Sequence, residues 1–314
     1  MKNTILVTGG AGFIGRWLAK NLLDSGNKIV IFDDLSNGAK KNIEEFLSNP
    51  NLLEFIEGDI KDRNLIKATF ERYQFSKVFH MAASINVQDS IDDPETTFKN
   101  DVIGTFNVLE EARKLNSRFI FMSTCMVYAR ANDEFGITEE HPVKPASPYA
   151  GSKLAGENMV LSYFHAYQMP TTIVRPFNTY GPFQKSNLEG GVVSIFVQKA
   201  LNGETLKIFG DGTQTRDLLF VDDCADFLIT CANSDQTIGQ IVNAGLGTDI
   251  SVNDLALLIC KDPSKIEHVT HHHPQAEIPK LLCNNTKVKS LLGWTAKNTL
   301  EQGIAKTREW LSKQ

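Results

Sequence analysis

The amino-acid sequence predicts an α/β fold in which a doubly wound parallel sheet is followed by a smaller C-terminal α/β lobe. Short runs rich in β-branched and aromatic residues recur along residues 1–175. Between them lie stretches in which apolar residues return about every 3.6 positions. Strands that alternate with helices in this way form βαβ units, whose parallel sheet is covered on both faces. The pattern loosens after Pro182, which indicates the separate lobe.

The elements follow one another in a regular order. The predicted strands of the sheet are Ile5–Val7, Lys28–Phe32, Leu52–Ile56, Lys77–Phe79, Phe119–Met122 and Thr171–Val174. In the C-terminal lobe we predict a strand at Leu206–Phe209 and helices at Val192–Leu201, 222–232, 251–259 and 299–312. We expect residues 1–175 to form one domain, to which later segments return, and residues 176–314 to form most of a second. The ligand site is expected in the cleft between the two.

The composition excludes several classes of function. The chain of 314 residues carries 32 basic and 37 acidic side chains, a net charge of −5, with no concentrated basic block. We therefore expect no nucleic-acid partner and no membrane partner. No apolar run reaches the ~20 residues that span a bilayer, and the first strand begins too early to leave room for a signal peptide. The five cysteines form no CxxC pair, which indicates reduced thiols and a cytoplasmic location.

A glycine-rich turn connects the first predicted strand to the first helix and reads Thr8-Gly-Gly-Ala-Gly-Phe-Ile-Gly. Gly9 and Gly12 allow a tight turn close to a diphosphate, and Gly15 allows close packing of helix against strand. Phe13 and Ile14 open the helix, whose N-terminal N–H groups and positive dipole end attract phosphates. The turn predicts a dinucleotide site of Rossmann type. A glycine motif alone is also compatible with an ordinary tight turn.

An acidic residue indicates which dinucleotide binds. Asp33 ends the second strand, 18 residues after Gly15. A carboxylate there accepts hydrogen bonds from the adenosine ribose hydroxyls and repels a 2′-phosphate, so that NAD is favoured over NADP. Asp59 and Ile60 follow the third strand and are candidate adenine contacts. An ordinary loop is the alternative for these two residues.

Tyr149 and Lys153 lie four residues apart at a predicted helix start, which places both on one face of the helix. A tyrosine with a pKa near ~10 is a poor base at neutral pH. An adjacent ammonium and the positive nicotinamide ring favour its phenolate. Tyr149 can then remove a proton from a sugar hydroxyl while the carbon gives a hydride to NAD. This spacing is common on helices, but together with the glycine turn it indicates a dehydrogenase-type site.

Further motifs occur in the order of a known family. They are His80-Met-Ala-Ala, Asn100-Asp-Val-Ile-Gly-Thr-Phe-Asn, Ser123-Thr, Arg175-Pro-Phe-Asn-Thr-Tyr-Gly-Pro and Gly210-Asp-Gly-Thr-Gln-Thr-Arg-Asp. With the glycine turn and the Tyr149/Lys153 pair they cover essentially the whole chain, which resembles the extended short-chain dehydrogenase/reductases that modify nucleotide sugars. The resemblance implies NAD as cofactor and a nucleotide-diphosphate sugar as substrate. It also implies a homodimer formed through the helices at 95–115 and 148–168.

The resemblance assigns roles to individual residues. It implies that Tyr149 is the base, that Thr124 hydrogen-bonds the sugar near O4 and that Lys153 holds the nicotinamide ribose. Asn178 and Arg216 are expected to bind the diphosphate, with an ion pair to Asp217 as the alternative for Arg216. Ala82 is a further expected cofactor contact. The other expected substrate contacts are Ser84, Met126, Val192, Lys207, Phe209 and His273.

Three consecutive histidines, 271–273, suggest a metal site at first sight. Neighbouring residues of an extended segment point to alternate sides, so three in a row rarely converge on one ion. We therefore predict a solvated loop and no metal. His273 stands where many relatives carry an arginine that reaches the phosphates, and would be a weaker, pH-sensitive donor.

The segment Thr124-Cys125-Met126 bears on which reaction follows oxidation at C4, the step that the family shares. In the family's dehydratases an Asp-Glu pair stands after the threonine, whereas decarboxylases carry Ser-Glu and epimerases small residues. The thioether of Met126 has no ionisable proton. The thiol of Cys125, with a reference pKa near ~8.5, can take the proton from C5 and return it to O6.

Three hypotheses follow from this segment. The Thr-Cys-Met pattern resembles the UDP-N-acetylglucosamine 5,6-dehydratase of tunicamycin biosynthesis and related bacterial amino-sugar enzymes. It implies a dehydratase that acts on UDP-N-acetylglucosamine and leaves a 5,6-ene or a 4-keto-6-deoxy sugar. If Cys125 is only a small packing residue, the protein is a nucleotide-sugar 4-epimerase. A cofactor-holding regulator is the third hypothesis, which the intact Thr124, Tyr149 and Lys153 oppose.

Overall fold

A computed structural model describes residues 4–131, 134–186, 191–270 and 278–314. The described residues divide into two compact units. The first comprises Met1–Val127, Pro145–Arg175 and Ala225–Val242, and the second comprises Tyr128–Lys144, Pro176–Cys224 and Asn243–Gln314. The α/β fold class that the sequence predicts is confirmed, because the first unit is built on a central parallel sheet with helices between its strands.

Seven strands form the central sheet, in the order β11-β6-β5-β4-β1-β2-β3. Their bounds are β1 Thr4–Thr8, β2 Lys28–Asp33, β3 Leu52–Glu57, β4 Lys77–His80, β5 Arg118–Met122, β6 Thr171–Pro176 and β11 Gln240–Ala244. After β3 the chain returns to the centre of the sheet, so the strand order reverses between β1 and β4. These two strands pair in parallel, with Thr8 opposite His80. Ligands bind at such a switch point in open α/β sheets, just beyond the carboxyl ends of the strands.

Helices connect these strands. They are α1 Phe13–Asp24, α2 Arg63–Tyr73, α3 Val87–Asp92, α4 Pro94–Phe98, α5 Thr105–Leu115, α6 Pro148–Tyr167 and α8 Val221–Asn233. The strands carry continuous apolar runs because helices cover both faces of the sheet. Leu6, Val30, Phe32 and Phe119 accordingly have no exposed surface and form the centre of the core.

The second unit contains short strands and five helices among its described residues, counting the start of α8. The strands are β7 Asn178–Tyr180, β8 Leu206–Phe209, β9 Thr215–Arg216, β10 Leu218–Phe220, β12 Ile250–Ser251, β13 Ile266–Val269 and β14 Lys280–Leu281. The further helices are α7 Val192–Leu201, α9 Val252–Cys260, α10 Thr286–Leu292 and α11 Leu300–Leu311. β8 pairs in parallel with β13, and β9 lies between β12 and β14. No helix in the described ranges is long and apolar enough to cross a membrane.

Of the strands of the second unit only β8 was predicted, and the first unit shows two further differences from the sequence-based expectation. The seventh strand, β11, was not predicted. The helix expected over 95–115 is interrupted, because Lys99–Gly104 forms a π-helix between α4 and α5. Such one-turn insertions occur often at functional sites, and this one contains Asp101, whose side chain is buried.

Candidate active site

The glycine turn that follows β1 has no room for side chains. Gly9 has a φ of +67°, and a Cβ there would lie 2.7 Å from the backbone nitrogen of Ala82. A Cβ on Gly15 would lie 2.1 Å from the carbonyl oxygen of Gly9. Gly12 is the N-cap of α1, and no side chain of the described residues caps this helix start. The N-terminal N–H groups of the helix, which Phe13 and Ile14 begin, therefore suit an anion such as a diphosphate.

Asp33 lies at the end of β2, beside the glycine turn, and is 6% exposed. Its carboxylate accepts hydrogen bonds from the backbone N–H of Ala11 at 2.9 Å and of Leu35 at 2.8 Å. Burial raises the pKa of Asp33, whereas these backbone bonds lower it. Each carboxylate oxygen keeps further acceptor capacity, so Asp33 is placed to receive ribose hydroxyls while it ties the second strand to the turn.

Asp59 and Ile60 lie on a loop that is held from behind. Asn107 of α5 donates from its amide to the carbonyl oxygens of Ile60 and Lys61 at 3.0 and 3.2 Å. The side chain of Asp59 is partly exposed and lies 3.2 Å from the ammonium of Lys61. Ile60 is buried against Gly104, where a Cβ would lie 2.5 Å from its Cδ1. Hydrogen bonds and packing therefore hold the loop in place, and Asp59 is more exposed than Ile60.

The end of β4 is fixed by one hydroxyl. Thr8 accepts from the backbone N–H groups of Met81 and Ala82 at 3.1 and 3.2 Å, and its oxygen lies 2.8 Å from Nδ1 of His80. The other ring nitrogen of His80 lies 2.9 Å from the hydroxyl of Thr105. Burial lowers the pKa of His80 to about 3, and the charge of Lys153 acts in the same direction. His80 is thus a neutral packed residue. The hydroxyl of Thr8 holds Ala82 beside Gly9.

Tyr149, Thr124 and Lys153 come together at the start of α6. The phenol of Tyr149 hydrogen-bonds the side chain of Thr124, and both residues are almost completely buried. Burial raises the pKa of Tyr149, the charge of Asp101 adds to the increase, and the bond to Thr124 opposes it. Burial lowers the pKa of Lys153, whose ammonium lies 4.9 Å from the ring centre of Phe121. In the protein without cofactor, the phenol of Tyr149 is therefore protonated.

Cys125 directly follows Thr124, in the short 3-10 helix Cys125–Val127, and is 4% exposed. A negative charge on Cys125 would act on Tyr149 in the direction that raises the pKa of the phenol. Met126 is half-buried, and its backbone N–H donates to the hydroxyl of Thr124 at 3.2 Å. No cluster of His, Cys, Asp or Glu in the described part of the chain could hold a metal ion.

Two buried carboxyl groups of this region were missed in the sequence. Asp101 accepts from the backbone N–H of Ser84 and from the hydroxyl of Ser152, both at 2.7 Å. Glu157 forms a bidentate ion pair with Arg175, one turn beyond Lys153 on α6. The signal for Asp101 was a charged residue on the inward face of an apolar helical pattern. Ser84, an expected sugar contact, also receives a bond from the amide of Asn100 at 2.8 Å.

The expected substrate contacts of the second unit lie on four elements, β7, β8, β9 and α7. Asn178 begins β7, and its side-chain oxygen is buried without a hydrogen-bond partner among the described residues. In β8, Lys207 and Phe209 are exposed on the face opposite to the core. Val192 opens α7 and is half-buried. Arg216 donates to the carbonyl oxygens of residues 215 and 278 at 2.7 and 3.0 Å.

Two other expectations concern this unit. Asp217, the alternative partner of Arg216, is fully buried and accepts from three backbone N–H groups, those of Leu246, Gly247 and Cys283. Burial raises its pKa to about 7. His273, with its two histidine neighbours, lies outside the residues that the structure describes.

The chain matches the GDP-mannose 4,6 dehydratase family model over residues 6–307. It is 37% identical to the UDP-glucose 4-epimerase of Mycolicibacterium smegmatis over 308 residues, 97% of each chain. The chain belongs to this family of nucleotide-sugar dehydratases and epimerases. Among solved structures, Pal from Bacillus thuringiensis is 55% identical, with a TM-score of 0.96 and 99% of each chain covered. The dTDP-glucose 4,6-dehydratase of Bacillus anthracis in complex with NAD is 30% identical, with a TM-score of 0.88 over 99% of this chain and 96% of that one.

NAD is the cofactor of this family, and the glycine turn fits it. Glycine at positions 9 and 15 allows the turn to pack closely against residues 81 and 82 and against the start of α1, and the uncapped start of α1 supplies N–H donors for a diphosphate. Asp33 would receive the adenosine ribose hydroxyls.

Proposed function

We propose that the protein is an NAD-dependent nucleotide-sugar dehydratase that acts on UDP-N-acetylglucosamine. The observation that carries this proposal is the buried thiol of Cys125 at the position directly after Thr124, whose side chain hydrogen-bonds the phenol of Tyr149. The carboxylates that serve elimination in the family's 4,6-dehydratases are absent there. Cys125 is therefore the protonable group available in this segment.

The first step is oxidation of the sugar at C4. NAD, when bound, accepts the hydride from C4 and later returns it. Tyr149 takes the proton of the C4 hydroxyl, and Thr124 holds that oxygen by its own hydroxyl. Lys153 holds the nicotinamide ribose and contributes the positive charge that favours the phenolate. Asn178 and Arg216 bind the diphosphate, since a guanidinium forms strong, directional bonds with phosphate oxygens.

The second step is loss of water across C5 and C6. The C4 ketone acidifies the hydrogen on C5, because the electron pair left behind is delocalised as an enolate. The thiolate of Cys125 takes this proton. The enolate expels the hydroxyl from C6, and the thiol of Cys125 gives its proton to the departing oxygen, so that the thiolate is restored and one water leaves. Hydride return to C4, with return of the proton from Tyr149 to O4, gives a 5,6-ene. Hydride return to C6 gives a 4-keto-6-deoxy sugar, and the proton that Tyr149 took from O4 balances the proton that C5 then gains.

A mass spectrum of the product tests this proposal. Incubation of the purified protein with UDP-N-acetylglucosamine is expected to give a product lighter by one water. The Cys125→Ala variant should lose dehydration. The matched control is Cys224→Ala, because Cys224 is a buried thiol of α8 whose pKa burial raises to about 12. Dehydration by Cys125→Ala at the wild-type rate would remove the thiol from the mechanism.

A nucleotide-sugar 4-epimerase is the second candidate. The observation that favours it is the identity of 37% with a protein named as UDP-glucose 4-epimerase. In that case Cys125 is only a packing residue, and the bound 4-keto sugar rotates before the hydride returns to its other face. A product of unchanged mass that separates from the substrate as a new isomer would establish this reaction. No turnover of any nucleotide sugar would favour the regulator.

We further propose a cytoplasmic homodimer. Exposed apolar side chains lie on the surface of α3, α4 and the π-helix, namely Ile91, Phe98 and Ile103, and Tyr167 is exposed at the end of α6. Apolar side chains gathered on neighbouring helices are typical of a covered interface. Sedimentation equilibrium is expected to give twice the chain mass of 34.9 kDa. The Phe98→Glu variant should be monomeric.

A further inference from the structure

Asp101 is a buried charge that the reaction above does not use. It lies in the π-helix Lys99–Gly104 and is 1% exposed. One oxygen accepts from the backbone N–H of Ser84 and the other from the hydroxyl of Ser152, each at 2.7 Å. Ser152 lies between Tyr149 and Lys153 on α6. The carboxyl group is therefore held against the turn of α6 that carries both proposed catalytic side chains.

The charge of Asp101 acts on both of these side chains. It raises the pKa of Tyr149 and also that of Lys153. Burial raises the pKa of Asp101 itself, whereas the charge of Lys153 and the bonds from Ser152 and Ser84 lower it. The two donors and the nearby ammonium favour the carboxylate, and burial opposes it.

Other charged groups also face this site. The thiolate of Cys125 acts on Tyr149 in the same direction as Asp101. On Lys153, Glu157 of the same helix acts in the same direction as Asp101. His80 of β4 is neutral, because its pKa is about 3. Glu157 is also engaged with Arg175 in a bidentate ion pair. Asp101 is thus the carboxylate that faces both Tyr149 and Lys153.

We propose that Asp101 is a positioning residue, whose negative charge keeps Lys153 protonated and keeps Tyr149 in its neutral form until the positive nicotinamide ring is present. This proposal rests on the roles of Tyr149 and Lys153 in the proposed function. Its consequence is that the protein without oxidised dinucleotide holds no reactive phenolate.

The hydroxyl of Ser152 allows the charge to be removed without loss of hydrogen bonds. It lies 2.7 Å from Asp101 and 2.8 Å from the carbonyl oxygen of Tyr149. In Asp101→Asn the amide oxygen accepts from the N–H of Ser84, as before. The amide nitrogen donates to Ser152, whose proton then goes to the carbonyl of Tyr149. The variant therefore changes the charge and keeps the packing.

The first measurement is a titration of the phenolate by its near-ultraviolet absorbance in the NAD-loaded protein. Subtraction of the same titration in a Tyr149→Phe background isolates Tyr149. In Asp101→Asn this phenolate is expected to form at lower pH than in the wild type. The measurement requires no turnover, so it remains decisive even if UDP-N-acetylglucosamine is not a substrate and the proposed function fails.

The second measurement is the dependence of kcat on pH. Both limbs are expected to move to lower pH in Asp101→Asn, because Tyr149 and Lys153 each lose the charge that raised their pKa. On the acid limb kcat rises about tenfold for each pH unit of the shift. Asp101→Ala must move the limbs in the same direction, and Asp101→Glu must return them toward the wild-type positions. The proposal is wrong if neither the two limbs of the kcat–pH profile nor the phenolate titration shifts in Asp101→Asn and in Asp101→Ala.

Discussion

The buried ion pair between Glu157 and Arg175 is expected to dominate the local stability of the active-site helix. The two side chains are 1% and 3% exposed, and two bonds of 2.8 and 2.5 Å join them. Ser123, at the end of the fifth strand, also donates to Glu157. Removal of Arg175 leaves the carboxylate buried without its partner, which costs about 3–5 kcal/mol in comparable pairs.

A double-mutant cycle measures this cost. Arg175→Met and Glu157→Met are each expected to lower the free energy of unfolding by about 3–5 kcal/mol. The double variant buries no charge, so it should be more stable than either single variant and recover several kcal/mol relative to the sum of the single effects. Ser123 loses its acceptor in the double variant, a cost of about 1 kcal/mol.

Urea unfolding followed by circular dichroism provides the assay. The matched control is Lys99→Met, which breaks an exposed pair with Glu95 and should leave the unfolding midpoint unchanged. The reasoning fails if Arg175→Met unfolds within about 1 kcal/mol of the wild type, less than the cost of a stranded buried charge. It also fails if the effects of the two single variants simply add.

Two further predictions concern the glycine turn and His80. Gly15→Ala places a Cβ 2.1 Å from the carbonyl oxygen of Gly9, so the purified variant should contain far less NAD than the wild type. The control Gly151→Ala should retain NAD, because a Cβ there has no neighbouring atom within 4 Å. Equal NAD contents in the two variants would refute the account of the turn. For His80, whose pKa is about 3 in the folded state, the unfolded chain binds the proton more readily. The contribution of neutral His80 to the free energy of unfolding is therefore fully present above about pH 6.5. It falls by about 1.4 kcal/mol for each pH unit as the pH drops toward 3. Urea unfolding of His80→Gln should show a flatter profile than the wild type over this range, and parallel profiles would contradict the assignment.

The parallel sheet could be predicted from the sequence because each of its first six strands is a short apolar run with a helix after it. The glycine turn and Asp33 were placed correctly for the same reason, since both lie directly after predicted strands. β11 was missed because Gln240–Ala244 combines two polar residues with only three apolar ones, and follows a turn that contains Gly239. Its position at the edge of the sheet depends on a long-range pairing that no local pattern reports.

The sequence supplied candidate active-site residues, but it did not indicate their burial or their electrostatics. The spacing of Tyr149 and Lys153 indicated a shared helix face, but not that both are buried. The roles of Asp101 and Ser152 depend on a π-helix, whose inserted residue shifts the inward face of the helix. In the second unit, Lys207 and Phe209 alternate with buried residues along β8, and both are exposed.

The most direct test of the account follows the hydrogen on C4 of the sugar in the wild type and in Tyr149→Phe. With a substrate deuterated at C4, the wild-type protein is expected to produce a transient reduced dinucleotide, whose formation is slowed by the isotope. Tyr149→Phe should fold and retain NAD, yet form no reduced dinucleotide and no product. Turnover by Tyr149→Phe at the wild-type rate, or product formation without reduction of the bound NAD, would contradict C4 oxidation by this tyrosine.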